Sequence, residues 1–453
     1  MHHSNKIETY LIFPVIIIFP FALVTGPFIP DLFVVVIDFL FIYKILKEKN
    51  YNLLNNKLFY LLIIFWVYIS TRSLFSDYLL FSLKSSFFYL RFIIFVFAIS
   101  YYLKLNEKIL KYFFISLALV FFILLIDSTY QYIFGKNILG FETINFDKIN
   151  SLFGNEAIMG SYLIRFLPLF FGLYILFFNI NNSKKKMFLL FFLLNLILFM
   201  IFISGSRSSL FLTIIFFSLI FIFVKNTRVP MILSIGLFSV LILSLAQMNL
   251  KIKRSLIISF VDPLVTISGT EYPITDEYQP SFMDSPKILV KYNILDQIKL
   301  IFITEKEFVL FTKVHDSHYR TAFKMFQQNK LFGLGTKTYR KFCSDDKYYV
   351  NKFSCTTHPH NYYLQLLAEN GIIGFIFLTF IFVLITYLIF KKSKNLKINF
   401  NNKDLCTLIL LFGFFINLWP IVPNGNFFNN YLSIQMFLPL GFYLFLVKDK
   451  NEL

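Results

Sequence analysis

The chain has 453 residues, of which 57% are hydrophobic and only 15% charged, whereas soluble domains carry about a quarter charged residues. Repeated apolar runs of bilayer-crossing length exclude an ordinary water-soluble globule and predict an all-α, polytopic integral membrane protein, because helices satisfy their own backbone polar groups in lipid. The net charge of +18 is scattered over short connections rather than gathered into one patch, which argues against nucleic acid and for topology determinants.

The apolar runs fall at roughly 9–26, 27–46, 57–74, 84–103, 109–133, 158–178, 186–203, 208–224, 229–248, 371–390, 405–422 and 430–447. They predict about 12 transmembrane helices: nine in residues 1–248, a large external loop over 249–370, and three more in 371–453. The first run is read as a retained helix, since Pro14 and Pro20 interrupt it and no small-residue cleavage site follows. Alternate connections carry the cations: Lys44, Lys47, Lys49 and Lys57; Lys104, Lys108 and Lys111; Lys184 to Lys186; Lys225 and Arg228; Lys391 to Lys403; then Lys448 and Lys450. The positive-inside rule puts these, and both termini, in the cytoplasm. The long loop is largely exempt from that rule and can lie outside despite its own lysines, in a space such as a bacterial periplasm.

Charges inside the runs come next in chain order. Asp38, Arg91, Asp127 and Arg165 each cost at least about 2.5–3.5 kcal/mol at mid-membrane, so each requires a partner or a wet cavity. Arg165 and Asp127 both lie toward the external side and are expected to pair. Ser204-Gly-Ser-Arg-Ser-Ser209 is a tight connection that projects Arg207 at the outer boundary. It reads either as a snorkelling interfacial arginine or as an anion clamp, since guanidinium binds phosphate oxygens bidentately.

Residues 318–374 are the richest in chemistry. An amphipathic helix runs from about His318 through Gln328, with Ala322, Phe323 and Phe326 on one side. Asn329-Lys-Leu-Phe-Gly-Leu-Gly335 then breaks it. Cys343 and Cys355 are expected to form a disulfide in an oxidising space, the alternative being two free thiols. Pro359 suits a helix first turn, which would place His360 at the positive end of the helix dipole and keep it neutral, as a general base must be. His360, Leu364 and Leu367 would share a face, with His358 as the cap. His315, His318, His358, His360, Asp345 and Asp346 were weighed as a metal site; their spacing matches no compact signature, and no metal or other cofactor is expected.

His360-Asn361 followed by Gly371-x-x-Gly374 resembles the signature of the O-antigen ligase and O-antigen polymerase superfamily. Ser206-Arg207-Ser208, the Asn329 to Gly335 turn, and Ser151-Leu-Phe-Gly-Asn-Glu-Ala157 ahead of Gly160 and Tyr162-Leu163 resemble further elements of it. The resemblance covers about 120–380. It implies a helical membrane fold related to the GT-C glycosyltransferases, and a glycan donor linked through pyrophosphate to undecaprenol. Ligases of this kind pass the glycan to the lipid A core; polymerases pass it to a second lipid-linked repeat unit.

Joined to the residue reading, the resemblance implies a metal-independent, inverting transfer. Arg207, with Arg320 and Arg340, holds the pyrophosphate. His360 takes the proton of the acceptor hydroxyl, and Asn361 orients the imidazole or a phosphate oxygen. The ligase reading leads, with the polymerase as alternative. A transporter or flippase is the rival of another class; it requires a charged mid-membrane pathway and symmetry between halves, and no internal repeat is visible.

Overall fold

A computed structural model describes residues 4–144, 148–178, 183–248, 313–398 and 401–447. The first half of the expected external loop, 249–312, lies outside the described residues, as do Lys448 and Lys450.

Every described element is helical apart from isolated bridges. In chain order they are α1 (Ser4–Val24), α2 (Phe28–Glu48), α3 (Lys57–Leu74), α4 (Leu79–Phe87), α5 (Leu90–Leu105), α6 (Lys108–Phe134), α7 (Met159–Phe178), α8 (Lys184–Ile203), α9 (Arg207–Phe223), α10 (Arg228–Met248), α11 (Lys313–Gln328), α12 (Tyr339–Phe342), α13 (Tyr362–Ile398), α14 (Asn402–Asn417) and α15 (Asn430–Leu446). Among the described residues, six helices are long and apolar enough to cross a membrane. Shorter apolar helices occupy four of the remaining runs.

Asparagine and serine punctuate these helices. Side chains of Asn56, Ser206, Asn401 and Asn429 accept a backbone N–H one to three residues inside the helix that follows, which satisfies orphan donors at the helix start. The core packs α15 on α5, α14 on α7 and α1 on α6. Small residues let the backbones approach at these crossings. A Cβ on Gly441 would fall 2.7 Å from Ile99, and one on Gly413 would fall 2.8 Å from Pro168. Large apolar side chains such as Phe28, Phe39, Ile64 and Phe188 point outward, as a lipid-facing surface requires.

The expected ion pair between Arg165 and Asp127 is not made. Arg165 donates to Ser161 Oγ and Asn417 Oδ1, both at 3.1 Å, and so ties α7 to α14. Asp127 instead accepts from Ser151 Oγ at 2.5 Å and Ile138 N at 2.9 Å, folding the connection after α6 back onto its own helix end. Asp127 is satisfied by groups of the connection that follows its own helix, and Arg165 by Ser161 one turn away and Asn417 on α14. Arg91 pairs with Asp31 across α5 and α2 at 2.7 Å.

The end of α3 with its connection, and the connection after α14, meet residues 313–370 at one end of the bundle. Arg72 donates to the carbonyls of Phe332 and Gly333, and Ser76 Oγ to that of Leu334 at 3.0 Å. Asn424 N donates to the His360 carbonyl at 2.8 Å, and Tyr363 OH to that of Leu418 at 2.7 Å.

Candidate active site

The site rests on a backbone-to-backbone joint. Inside α13, Gly371 adopts φ 65°, ψ −164° and breaks the helix, which strands the carbonyls before it. The turn between α11 and α12 supplies their donors: Leu334 N to Ala368 O at 3.1 Å and Gly335 N to Glu369 O at 2.7 Å, while Ile372 N donates back to Lys330 O at 2.8 Å. A Cβ on Gly371 would lie 2.2 Å from Leu331 O, and one on Gly333 2.4 Å from Glu369 C. The two glycine motifs of the sequence are therefore the two halves of one contact, where both a left-handed φ and the absence of Cβ are required.

Glu369, only 1% exposed, locks the joint. Its carboxylate accepts from Lys337 N at 2.8 Å, Tyr339 N at 3.1 Å and Gln365 Nε2 at 3.0 Å. Gln365 Oε1 in turn accepts Phe427 N at 2.9 Å, reaching the connection before α15. The sequence reading missed this pair, although a lone acid in the apolar run 362–375 was a visible signal. It also passed over Arg72, a single cation in the last turn of α3.

A small separate core of Ala322, Met325, Leu334, Tyr339, Phe342, Cys343, Tyr348 and Ala368 holds this segment together. The buried stripe of α11 is His318, Ala322 and Met325; Phe323 is 46% exposed, so the expected Ala-Phe-Phe face is corrected. The i, i+4, i+7 stripe toward α13 outweighs the aromatic pair. Cys343 and Cys355 form the expected disulfide, with Cα atoms 5.1 Å apart. Beside it, Tyr339 OH donates to Ser354 O at 2.7 Å, and Asn351 Nδ2 donates to Ser317 Oγ at 2.8 Å. The loop ahead of His358 is thus fastened to α11 and α12.

The helix does not begin at Pro359. It begins at Tyr362, and Asn361 is its cap: Asn361 Oδ1 accepts Tyr363 N at 3.0 Å and Leu364 N at 3.1 Å, while Nδ2 donates to Pro420 O at 2.7 Å. Asn361 is 6% exposed and its bonds build the fold, in place of the orienting role expected of it. His358 is likewise not the cap; its Nδ1 lies 2.8 Å from Thr357 Oγ1. His360 stands just outside the helix at φ 56°, a left-handed conformation that is uncommon for a non-glycine residue. Such conformations cost about 1–3 kcal/mol and persist where surrounding structure imposes them; here the Asn424 amide holds its carbonyl.

That geometry brings three imidazoles together around His360. Its ring centroid lies 4.1 Å from that of His358, 5.3 Å from that of His318, with planes 25° apart, and 5.3 Å from that of His315. His318 and His358 are buried and His360 is partly exposed. Burial pushes the pKa of His360 below its ordinary value, so burial, rather than the helix dipole, favours the neutral ring. Burial, then His360 beside it, takes His318 down to about 4 and His358 to about 3. His315 falls to about 4 through burial, His360, His318 and Arg207.

Two arginines feel this cluster from different members. Arg207, placed at the first residue of α9 by the Ser206 cap, acts on His315, and Arg340 acts on His358. Close packing of Gly160 on α7 against Ser204 and Ser206 fixes the Arg207 turn. Arg320 points elsewhere: its Nε pairs with Asp316 at 2.6 Å and its side chain is 60% exposed. Among the described residues no group of three or more His, Cys, Asp or Glu is arranged to hold a metal ion.

Residues 312–379 match the family model described as O-antigen ligase. This match supports, for that segment, the resemblance to the O-antigen ligase and polymerase superfamily. No curated protein matches the chain. The O-antigen ligase segment begins at the start of α11 and ends within α13, so it contains the glycine joint, the disulfide loop and all four histidines. Arg207 lies outside it in sequence and reaches it through the fold.

Proposed function

We propose that this protein is a membrane glycosyltransferase of the O-antigen ligase type. It moves a glycan from undecaprenyl pyrophosphate to the lipid A core on the periplasmic face. The observation that carries this reading is a partly exposed imidazole, held toward its neutral form by burial, in a histidine cluster whose members feel Arg207 and Arg340.

In the proposed step His360 accepts the proton of an acceptor sugar hydroxyl as its oxygen attacks the anomeric carbon. The anomeric C–O bond to pyrophosphate breaks, and the configuration inverts. Arg207 and Arg340 stabilise charge growing on the departing pyrophosphate, where fixed cations in a site poor in water are most effective. Arg320, on α11 and paired with Asp316, is given no part in this step. The two fixed guanidinium groups do the work a divalent cation does elsewhere, so a chelator is expected to leave the rate unchanged.

The test is transfer in reconstituted membranes from an undecaprenyl-pyrophosphate glycan, with lipid A core and a second lipid-linked repeat unit offered as acceptors. Glycan on the core supports the ligase reading. Glycan on the second repeat unit turns the reading to polymerase, and transfer to neither overturns both. The transporter reading has less support, because Arg91 and Arg165 are tied down within the bundle and the unassigned polar groups gather at one end.

A further inference from the structure

A second cationic region extends from Arg340, away from Arg207. The amino group of Lys337 is shifted down by burial, with Arg340 and Lys84 among its close cations and Glu369 opposing them. Lys337 and Lys84 both line a cavity of about 340 Å³ whose other walls include Phe81, Phe88, Tyr89 and Arg91. Arg91 is neutralised by Asp31 at 2.7 Å. No ion pair with Lys84 or Lys337 occurs among the described residues, whereas Lys84 is exposed and Lys337 half-buried. Lys337 is held facing this region by its own backbone: it adopts φ 64°, with its N–H locked on Glu369 at 2.8 Å.

A cavity lined by both cations and aromatic rings suits an amphiphile with an anionic head. The volume falls in the range of ligand pockets and is too small for a glycan chain. Phe88, 56% exposed, lies at the junction of α4 and α5, on the same outward surface as Phe87 and Leu80. An apolar chain can therefore leave the cavity sideways into lipid while the head stays beside Lys84 and Lys337.

We propose that this cavity binds the phosphate head of a lipid, as a second anion site separate from the Arg207 flank of the histidine cluster. A lipid phosphate held there would be additional to the pyrophosphate proposed for Arg207 and Arg340. This arrangement rests on the transferase reading and deepens it: both partners of the reaction, donor and acceptor, would be anchored by phosphate. Binding at the cavity stands apart from turnover.

The experiment uses the full chain in phosphatidylcholine nanodiscs with a diazirine-bearing polyprenyl phosphate, crosslinked by light and mapped by mass spectrometry. Labelling is expected on peptides containing 81–92 and 428–430. It should fall about tenfold in the K84Q/K337Q variant, as expected for loss of charge-assisted bonds, and should persist in K84R/K337R and in Arg207→Ala. Competition by unlabelled polyprenyl phosphate alone identifies an isoprenoid lipid, and equal competition by phosphatidylglycerol identifies any phosphate-bearing lipid; either supports the site. Labelling that is unchanged in K84Q/K337Q, or that maps only near Arg207, overturns it. If the wild type labels here but transfers nothing, the transferase reading fails and the lipid site survives.

Discussion

At the scale of single residues, His360 is set apart by backbone and burial together. Its left-handed φ turns the chain out of α13, and three other imidazoles crowd it. Because burial depresses these groups in the folded protein, the unfolded chain binds more protons than the native one below the ordinary imidazole pKa. Stability therefore is complete above about pH 6.5 and declines as pH falls toward about 4. Thermal unfolding at about pH 7.5 and about pH 5 checks this: the midpoint should drop in acid, and drop less in His318→Ala. A midpoint that does not move would show that these rings are not held neutral by the fold. Near neutral pH the transfer rate should be flat, since protonation of His360 lies below the usual imidazole range.

At the scale of elements, the joint between the Asn329–Gly335 turn and the break in α13 carries the site. Gly371→Ala forces a side chain into a left-handed φ and sets its Cβ 2.2 Å from Leu331 O. The conformational penalty alone is about 1–3 kcal/mol, and the clash adds to it. Limited proteolysis should cut within 329–335 faster in this variant, and wild-type resistance there would count against the joint. Breaking the disulfide by Cys343→Ser with Cys355→Ser should cost about 3 kcal/mol, read as a lower unfolding midpoint that reductant reproduces in the wild type. The glycine spacing and the cysteine pair were legible in sequence because each is a local pattern. The helix start was not: Pro359 imitates a first turn, but Asn361 competes for the cap and wins by bonding two amides and Pro420 at once.

At the scale of the whole molecule, hydropathy made the helices and their ends readable, because lipid leaves few other solutions. What stayed hidden was lateral adjacency. Nothing in the order of the chain brings Arg207 to His315, or sends Arg165 to Asn417 instead of Asp127; helix packing decides both. The same packing gathers Arg72, Ser76, Pro420, Asn424 and Phe427 on one end of the bundle with residues 313–370. The charge alternation predicts that this end faces the periplasm. A membrane-impermeant maleimide applied to intact spheroplasts should label Lys352→Cys and spare Lys394→Cys; the reverse pattern would invert the topology and remove the proposed substrate from reach.

The central claim is that His360 takes the acceptor proton while Arg207 holds the departing pyrophosphate. It is tested most directly by single-turnover transfer from an undecaprenyl-pyrophosphate glycan, comparing wild type, His360→Ala and Arg207→Ala in the same nanodiscs. The expected result is a fall of about 10²–10⁴-fold in the His360→Ala rate with donor binding retained, and weaker donor binding together with a slower rate in Arg207→Ala. Full transfer by His360→Ala would contradict the claim.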